Sequence, residues 1–532
     1  MPRPDAPLPP ALVIPTAGPS RRRGAVLRRA VALGAGAALL LAGCVAPKEQ
    51  ATVDPDAPPP AQEPTLGQEG DLEAFYAQDV VWEECGELEC ATVTAPLSWE
   101  DPEQGEITLA LRRAVATGGE PLGSLVVNPG GPGGSGYDFV EQATSLFSDR
   151  LLEAYHVVGF DPRGVGRSSA VDCGPDEVVD AFLTADPPFE SPQDLEDQRR
   201  MLREFGEACR ESTGALLEHV DTGSAARDMD LIRAVLGEDQ LDYAGFSYGT
   251  YLGARYAELF PENVGRFLLD AAMDPSVTLD ELVVGQAIGF ENALTAYVED
   301  CQAARGCPLS GGVESGKQQI AALMDRIQRQ PLDTATGDEL NATLAFYGIV
   351  VTLYDDDFWY LLTAALDEAI RENSGSILLE LANAYLGRTT EGTYESNMMI
   401  AFQAINCIDH TSPERTFEEI QALADEVAQE APTFGRDFAA GAGCEAWPVP
   451  PRGERGPIEA AGAAPILVVG TTGDPATPYE WSVALAEQLE SGVLLTWEGE
   501  GHAAYGRSND CVLDAVDDYL VDGLVPEDGL VC

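Results

Sequence analysis

The chain has 532 residues, carries 89 Asp+Glu against 31 Lys+Arg, and has a formal net charge of −58 at pH 7. A balance of that sign excludes a duplex-binding role, because phosphate contacts need a basic face. The length permits a large core and points to two or three domains.

In chain order, the first signal is a targeting segment. Arg21, Arg22, Arg23, Arg28 and Arg29 precede an apolar run over 30–42, which is roughly two-thirds of what a membrane-spanning helix needs. The run ends Leu41-Ala42-Gly43-Cys44 and resembles a bacterial lipobox. That implies cleavage after residue 43, a lipid on Cys44, and export to the outer face of the cell membrane. An ordinary secretory signal with a chance Cys is the alternative, and Ser20-Arg21-Arg22 holds too little of a twin-arginine motif to choose the export route. From 45 to 70 there are six prolines and almost no large apolar side chains. Such a stretch does not bury enough surface to offset its ordering entropy, so 44–70 reads as a tether.

Ten cysteines remain: Cys85, Cys90, Cys173, Cys209, Cys301, Cys307, Cys407, Cys444, Cys511 and Cys532. An even number in an exported chain favours disulfides, each worth about 2 to 4 kcal/mol. They fall into five neighbouring couples, and sequential pairing is the expectation. Zinc is disfavoured, since neither Cys85/Cys90 nor Cys301/Cys307 has a second pair or a His at suitable spacing.

Short runs rich in Val, Leu and Ile at 123–128, 155–160, 241–246, 266–270, 465–470 and 492–497 predict buried strands of an open, mostly parallel sheet. Helices are predicted at 224–236, where Met229, Ile232, Val235 and Leu236 keep helical spacing and Gly237 suits a C-cap, and at 248–259. Between 275 and 444 the pattern turns to long helical stretches, among them 344–373 and 376–386, with no strand expected. This block reads as a helical insertion.

The chemistry starts at Gly245-Phe246-Ser247-Tyr248-Gly249, between a predicted strand and a predicted helix. Gly-x-Ser-x-Gly in that context is a nucleophile elbow, with the helix N-terminus under the developing negative charge. A serine hydroxyl needs a base, and the chain has four histidines. His156 and His219 precede Ser247, whereas this architecture orders its triad Ser, acid, His. His410 closes the insertion with no acid of clear motif before it. His502, in Gly499-Glu500-Gly501-His502 after the last strand, is the expected base. Asp474, in the loop after 465–470, is the expected orienting acid, with Asp270 and Asp274 as competitors. Thr477 is either a hydroxyl supporting this acid or a turn residue before Pro478. The glycine-rich Asn128-Pro129-Gly130-Gly131-Pro132-Gly133-Gly134 follows the first of these strands, and the backbone amides of Gly131 and Tyr248 are the expected oxyanion donors. Its spacing matches neither a P-loop nor a dinucleotide fingerprint. No cofactor and no metal is implied.

These motifs together resemble the prolyl and tripeptidyl aminopeptidases. Residues 128–136 are similar to their HGGPG-type loop, with Asn128-Pro129 in place of the usual apolar residue and His. Asp161-Pro162-Arg163-Gly164-Val165-Gly166-Arg167-Ser168 looks like their D-x-R-G-x-G-x-S segment. Gly501-His502, Tyr505-Gly506, Cys511 and Asp517-Asp518-Tyr519-Leu520 look like the C-terminal region of the bacterial tripeptidyl enzymes. The resemblance implies an α/β-hydrolase fold: core at 71–275 and 446–532, helical cap at 276–445. It also implies a serine aminopeptidase, secreted or envelope-bound, that releases short N-terminal peptides from peptide substrates. Residues 404–409 resemble a segment recurrent in the family. With Cys407 bonded to Cys444, Asp409 would be rigid enough to meet the substrate amine; an acidic surface residue is the other reading. A lipid-anchored carboxylesterase would use the same triad. A non-catalytic binding lipoprotein would be expected to lack a triad member, and none is lacking.

Overall fold

A strand apolar on both faces needs cover on both; five of the six expected strands obtain it over most of their length, and the one at 492–497 only in part. In the computed structural model, which describes residues 69–452 and 455–532, they form the middle of a ten-stranded sheet. The strands are β1 (Glu83–Cys85), β2 (Leu88–Pro96), β3 (Glu106–Ala114), β4 (Gly123–Asn128), β5 (Tyr155–Phe160), β6 (Leu241–Phe246) and β7 (Val264–Asp270). A separate hairpin, β8 (Leu332–Asp333) and β9 (Glu339–Leu340), precedes β10 (Ile466–Gly473), β11 (Gly492–Glu500) and β12 (Leu530–Val531). The sheet order is β1-β2-β3-β5-β4-β6-β7-β10-β11-β12. Pairings from β5 to β12 are parallel, and β1 to β3 join antiparallel at the β5 edge. This is an α/β-hydrolase fold. The expected signal, Cys44 and the tether up to residue 68 lie outside the described residues.

Successive side chains of a strand alternate between faces. Val126, Phe267, Leu269, Ile466 and Val468 therefore join one apolar cluster, while Leu125, Val127, Leu268, Leu467 and Val469 join another. The first face is covered by the helices Thr222–Leu236 and Tyr248–Leu259, through Leu231, Ile232 and Leu252. The second is covered by Gly136–Leu146 and Asp510–Asp522, through Val140 and Val516. Each fully buried side chain of this size contributes about 1.5–3 kcal/mol. Gly237 ends its helix in the left-handed region at φ 80°, as its type allows.

The insertion has a core of its own, built on Ile320, Leu323, Ile349, Leu362, Leu366, Leu378 and Ala382. Three details differ from the sequence reading. The hairpin β8/β9 adds two short strands where none was expected. The stretch 344–373 is not one helix but Ala342–Leu353 and Trp359–Asp367, followed by a π turn Glu368–Glu372. The break falls on Tyr354-Asp355-Asp356-Asp357, where Asp355 accepts from Asp357 N at 3.0 Å and offers the chain a turn in place of a helix. Helix Met398–Asp409 packs through Ile400, Ala404, Ile405 and Ile408 into the main core instead of the insertion's own.

Five disulfides join Cys85–Cys90, Cys173–Cys209, Cys301–Cys307, Cys407–Cys444 and Cys511–Cys532. Cys407–Cys444 fastens helix Met398–Asp409 to the segment that returns to β10. A chain with this many bridges belongs in an oxidising, extracytoplasmic compartment.

Candidate active site

Parallel strands deliver their C-terminal ends to one edge of the sheet, and register brings the candidate residues together there. Asn128 of β4 lies opposite Gly245 of β6, Phe246 opposite Asp270 of β7, and Val469 of β10 opposite the same Asp270. The loops carrying Gly130, Ser247, Asp474 and His502 all leave from that edge.

Ser247 caps helix Tyr248–Leu259 with φ 56°, ψ −126°, a conformation unusual for a non-glycine residue that persists only where the surroundings hold it. Its N–H donates to Asp270 O at 3.0 Å, and its carbonyl accepts from Thr250 N at 2.8 Å and Thr250 Oγ1 at 2.6 Å. The turn has no room for side chains beside it. A Cβ on Gly249 would stand 2.7 Å from Asn128 O, and one on Gly130 would stand 2.5 Å from Phe246 O and 2.9 Å from Ser247 Cβ.

The glycine-rich loop thus lies directly against the serine. Gly130 N donates to Asn128 Oδ1 at 2.9 Å, while the N–H groups of Gly131 and Tyr248 have no acceptor among the described residues. Tyr248 N belongs to the first helical turn, where such donors stay open.

His502 Nδ1 lies 2.9 Å from both Asp474 carboxylate oxygens. Asp474 is only 4% exposed; it also accepts from Ala476 N and Thr477 N at 2.9 Å and from Thr477 Oγ1 at 3.1 Å. With Nδ1 donating to the carboxylate, Nε2 is left as the lone pair that can take a proton. Among the described residues no hydrogen bond joins Ser247 Oγ to His502; such contacts commonly tighten only when substrate is bound.

The other histidines stand apart from Asp474. His156 Nδ1 accepts from Ala116 N, His219 meets Arg452, and His410 is buried with Nε2 unpartnered, its pKa pushed down to about 3 by burial and by Arg455. The competing acids are engaged elsewhere too: Asp274 accepts from Ser276 and Gln488, and Asp270 binds the chain after His502.

Asp409 is 2% exposed and is held by Thr222. One oxygen accepts from Thr222 N at 2.9 Å, the other from Thr222 Oγ1, which also meets the Tyr248 hydroxyl. Each oxygen thus already has a donor from Thr222, and Asp409 is not an acidic surface residue. The D-x-R-G-x-G-x-S segment is likewise structural. Arg163, fully buried, pairs with Asp228 through two 2.7 Å bonds and donates to the carbonyls of Pro96, Leu97 and His219. Asp161 binds Ser135 Oγ, Tyr137 N and Arg167 N.

Sequence reasoning missed the insertion's contribution. Tyr354 accepts His502 N–H at 2.8 Å and sets its ring edge-on to the imidazole at 5.4 Å. Met398 O lies where a Cβ on Gly133 would be, at 2.4 Å. The broken helix at the three aspartates was the one available signal. Among the described residues no His, Cys, Asp and Glu group is placed to hold a metal ion, and no helix is long and apolar enough to cross a membrane.

A family model described as TAP-like protein matches residues 431–532. Over 486 residues the chain is 36% identical to the serine protease Hip1 of Mycobacterium tuberculosis, covering 86% of this chain and 92% of that protein. It is 36% identical over 496 residues to carboxylesterase B of the same organism, covering 90% and 94%. It is 33% identical over 472 residues to a tripeptidyl aminopeptidase of Streptomyces lividans, covering 85% and 86%.

Proposed function

The chain belongs to the TAP-like family of α/β-hydrolases, and from that premise we propose that it is a serine aminopeptidase releasing di- or tripeptides from free N-termini. Ser247 is the nucleophile, His502 the base and Asp474 the residue that orients the base. Ser247 Oγ attacks the scissile carbonyl while His502 Nε2 takes its proton; the tetrahedral oxyanion is received by the N–H groups of Gly131 and Tyr248. His502 then protonates the leaving amine, and water resolves the acyl-enzyme by the same route in reverse. The observation that carries this reading is the Asp474–His502 bond set beside a strained Ser247 turn and two open amides. Residues 276–445 act as a cap that favours chain ends over the middle of folded proteins, and Cys44 tethers the enzyme by a lipid.

The curated relatives include a protease, a tripeptidyl aminopeptidase and a carboxylesterase, so the carboxylesterase reading stands as the second. Incubation with a library of free-amine peptides, followed by mass spectrometry, decides between them. Sequential loss of two or three N-terminal residues is expected, with a sharp fall in rate on N-acetylation. Equal rates on free and acetylated peptides, with faster turnover of small esters, would replace this reading by the esterase.

A further inference from the structure

Three of the five non-glycine residues with positive φ among the described residues cluster at one place: Ser247 at 56°, Ala271 at 59° and Ala503 at 67°. Ser247 is the proposed nucleophile, Ala271 follows Asp270, and Ala503 follows His502. Conformations of that kind persist only when neighbours over-determine them. Asp270 is the neighbour they share. It ends β7, opposite Phe246 of β6 and Val469 of β10, and its main-chain oxygen accepts the Ser247 N–H at 3.0 Å. Its side chain, fully buried, accepts from Ala504 N at 3.0 Å through both oxygens and from Tyr505 N at 2.7 Å.

A buried carboxylate costs desolvation free energy. Here burial pushes the carboxyl up to about 6, against the opposing pull of the Tyr505 and Ala504 amides and of His502. Sequence position alone would make Asp270 an alternative triad acid, yet its oxygens are turned to the main chain beyond the histidine.

We propose that Asp270 is a positioning residue for hydrolysis: its main-chain oxygen fixes the Ser247 turn and its carboxylate fixes the 504–505 segment after His502, so one residue sets nucleophile against base. The inference rests on the reading of Ser247 and His502 given above. Displacing a reacting group by about 1 Å is enough to cost on the order of 100-fold in rate. Asp270 need touch no substrate to matter.

In the full-length protein, Asp270→Asn keeps the shape but turns an amide N–H toward main-chain donors. Turnover of a free-amine tripeptide anilide should show kcat reduced about 10- to 100-fold with KM within about twofold, the signature of a misaligned site. The rate of fluorophosphonate labelling at Ser247 should fall in parallel. Leu231→Ala, buried in the helix Thr222–Leu236, lowers stability without touching the site and should leave kcat within about twofold. A folded Asp270→Asn protein at full kcat beside an inactive Ser247→Ala would overturn this inference alone. Turnover surviving in Ser247→Ala would remove the nucleophile assignment and this inference with it. If Asp270→Asn does not fold, hydrogen exchange on the unaltered protein decides: amides of 504–505 should exchange as slowly as β10, and exchange at the rate of an open loop would overturn the tie.

Discussion

The main-chain oxygen of Tyr354 accepts the N–H of His502 at 2.8 Å, so the insertion is hydrogen-bonded to the proposed base itself. Tyr354 sits where the helix predicted over 344–373 is interrupted, and the acidic turn causing the interruption is clamped from the other side. Arg507 donates to Asp355 at 2.9 Å and Asp356 at 3.2 Å, and to the carbonyls of Glu500 at 2.9 Å and Ala503 at 3.2 Å. One guanidinium therefore joins the insertion to both sides of His502.

Arg507→Met, which keeps the aliphatic stem, should reduce kcat/KM about tenfold and lower thermal stability. Removing one partner of a largely buried charge pair costs about 3–5 kcal/mol, and the Arg507 side chain is only 8% exposed. Asp355→Asn should do less, and the double variant should fall short of the summed effects because the two groups share an interaction. Additive losses in a thermal-melt and kinetic cycle would show that Arg507 and Asp355 do not act through their shared contact.

Single substitutions of Ser247, His502 and Asp474 by Ala should each lower kcat by several orders of magnitude, and the triple variant should be about as slow as Ser247→Ala alone. Fluorophosphonate labelling mapped by mass spectrometry is expected at Ser247 and nowhere else. A second labelled serine that survives Ser247→Ala would displace the assignment.

Stability should carry the mark of Asp409. Burial pushes its carboxyl up to about 6 in the folded protein, against the opposing effect of the Thr222 hydrogen bonds, while an unfolded Asp titrates near ~3.9. The folded state binds the proton more tightly between these values, so stability falls as pH rises from about 4 to 6, by about 2–3 kcal/mol once ionisation is complete. Asp409→Asn lacks that ionisation. Denaturant unfolding at pH 4 and pH 7 should show the variant gaining on the unsubstituted protein by about that amount; a pH-independent gap would mean that folding does not raise the Asp409 pKa.

Cys44→Ala should abolish incorporation of a fatty-acid analogue in a bacterial host that processes lipoproteins and should release the protein from the membrane fraction. Absence of label in the unsubstituted protein would leave an ordinary secreted enzyme.

Local signals were sufficient for much of this molecule. Apolar runs buried on both faces have one way to be satisfied, so β4, β5 and β6 end where the sequence reading put them. The serine turn was legible because Gly-x-Ser-x-Gly stands between a strand signal and a helix signal, and His502 because only four histidines compete. β1 to β3 were not legible: β2 buries mainly one face along Leu88–Pro96, so no continuous apolar run marks it. Asp270 and Asp474 follow adjacent strands and look alike in sequence. Only the packed structure turns Asp474 to the imidazole and Asp270 to the amides of Ala504 and Tyr505, because the donors come from a segment more than 200 residues from Asp270. For Asp409 the sequence leaves an amine contact and an acidic surface residue open; the fold buries it against Thr222, 187 residues away. The turn at Tyr354 is local, but its fastening beside His502 comes from Arg507, 152 residues from Asp355. Helical and strand periodicity report what an element buries; which distant donor or cation meets a given carboxylate is decided only when the layers pack.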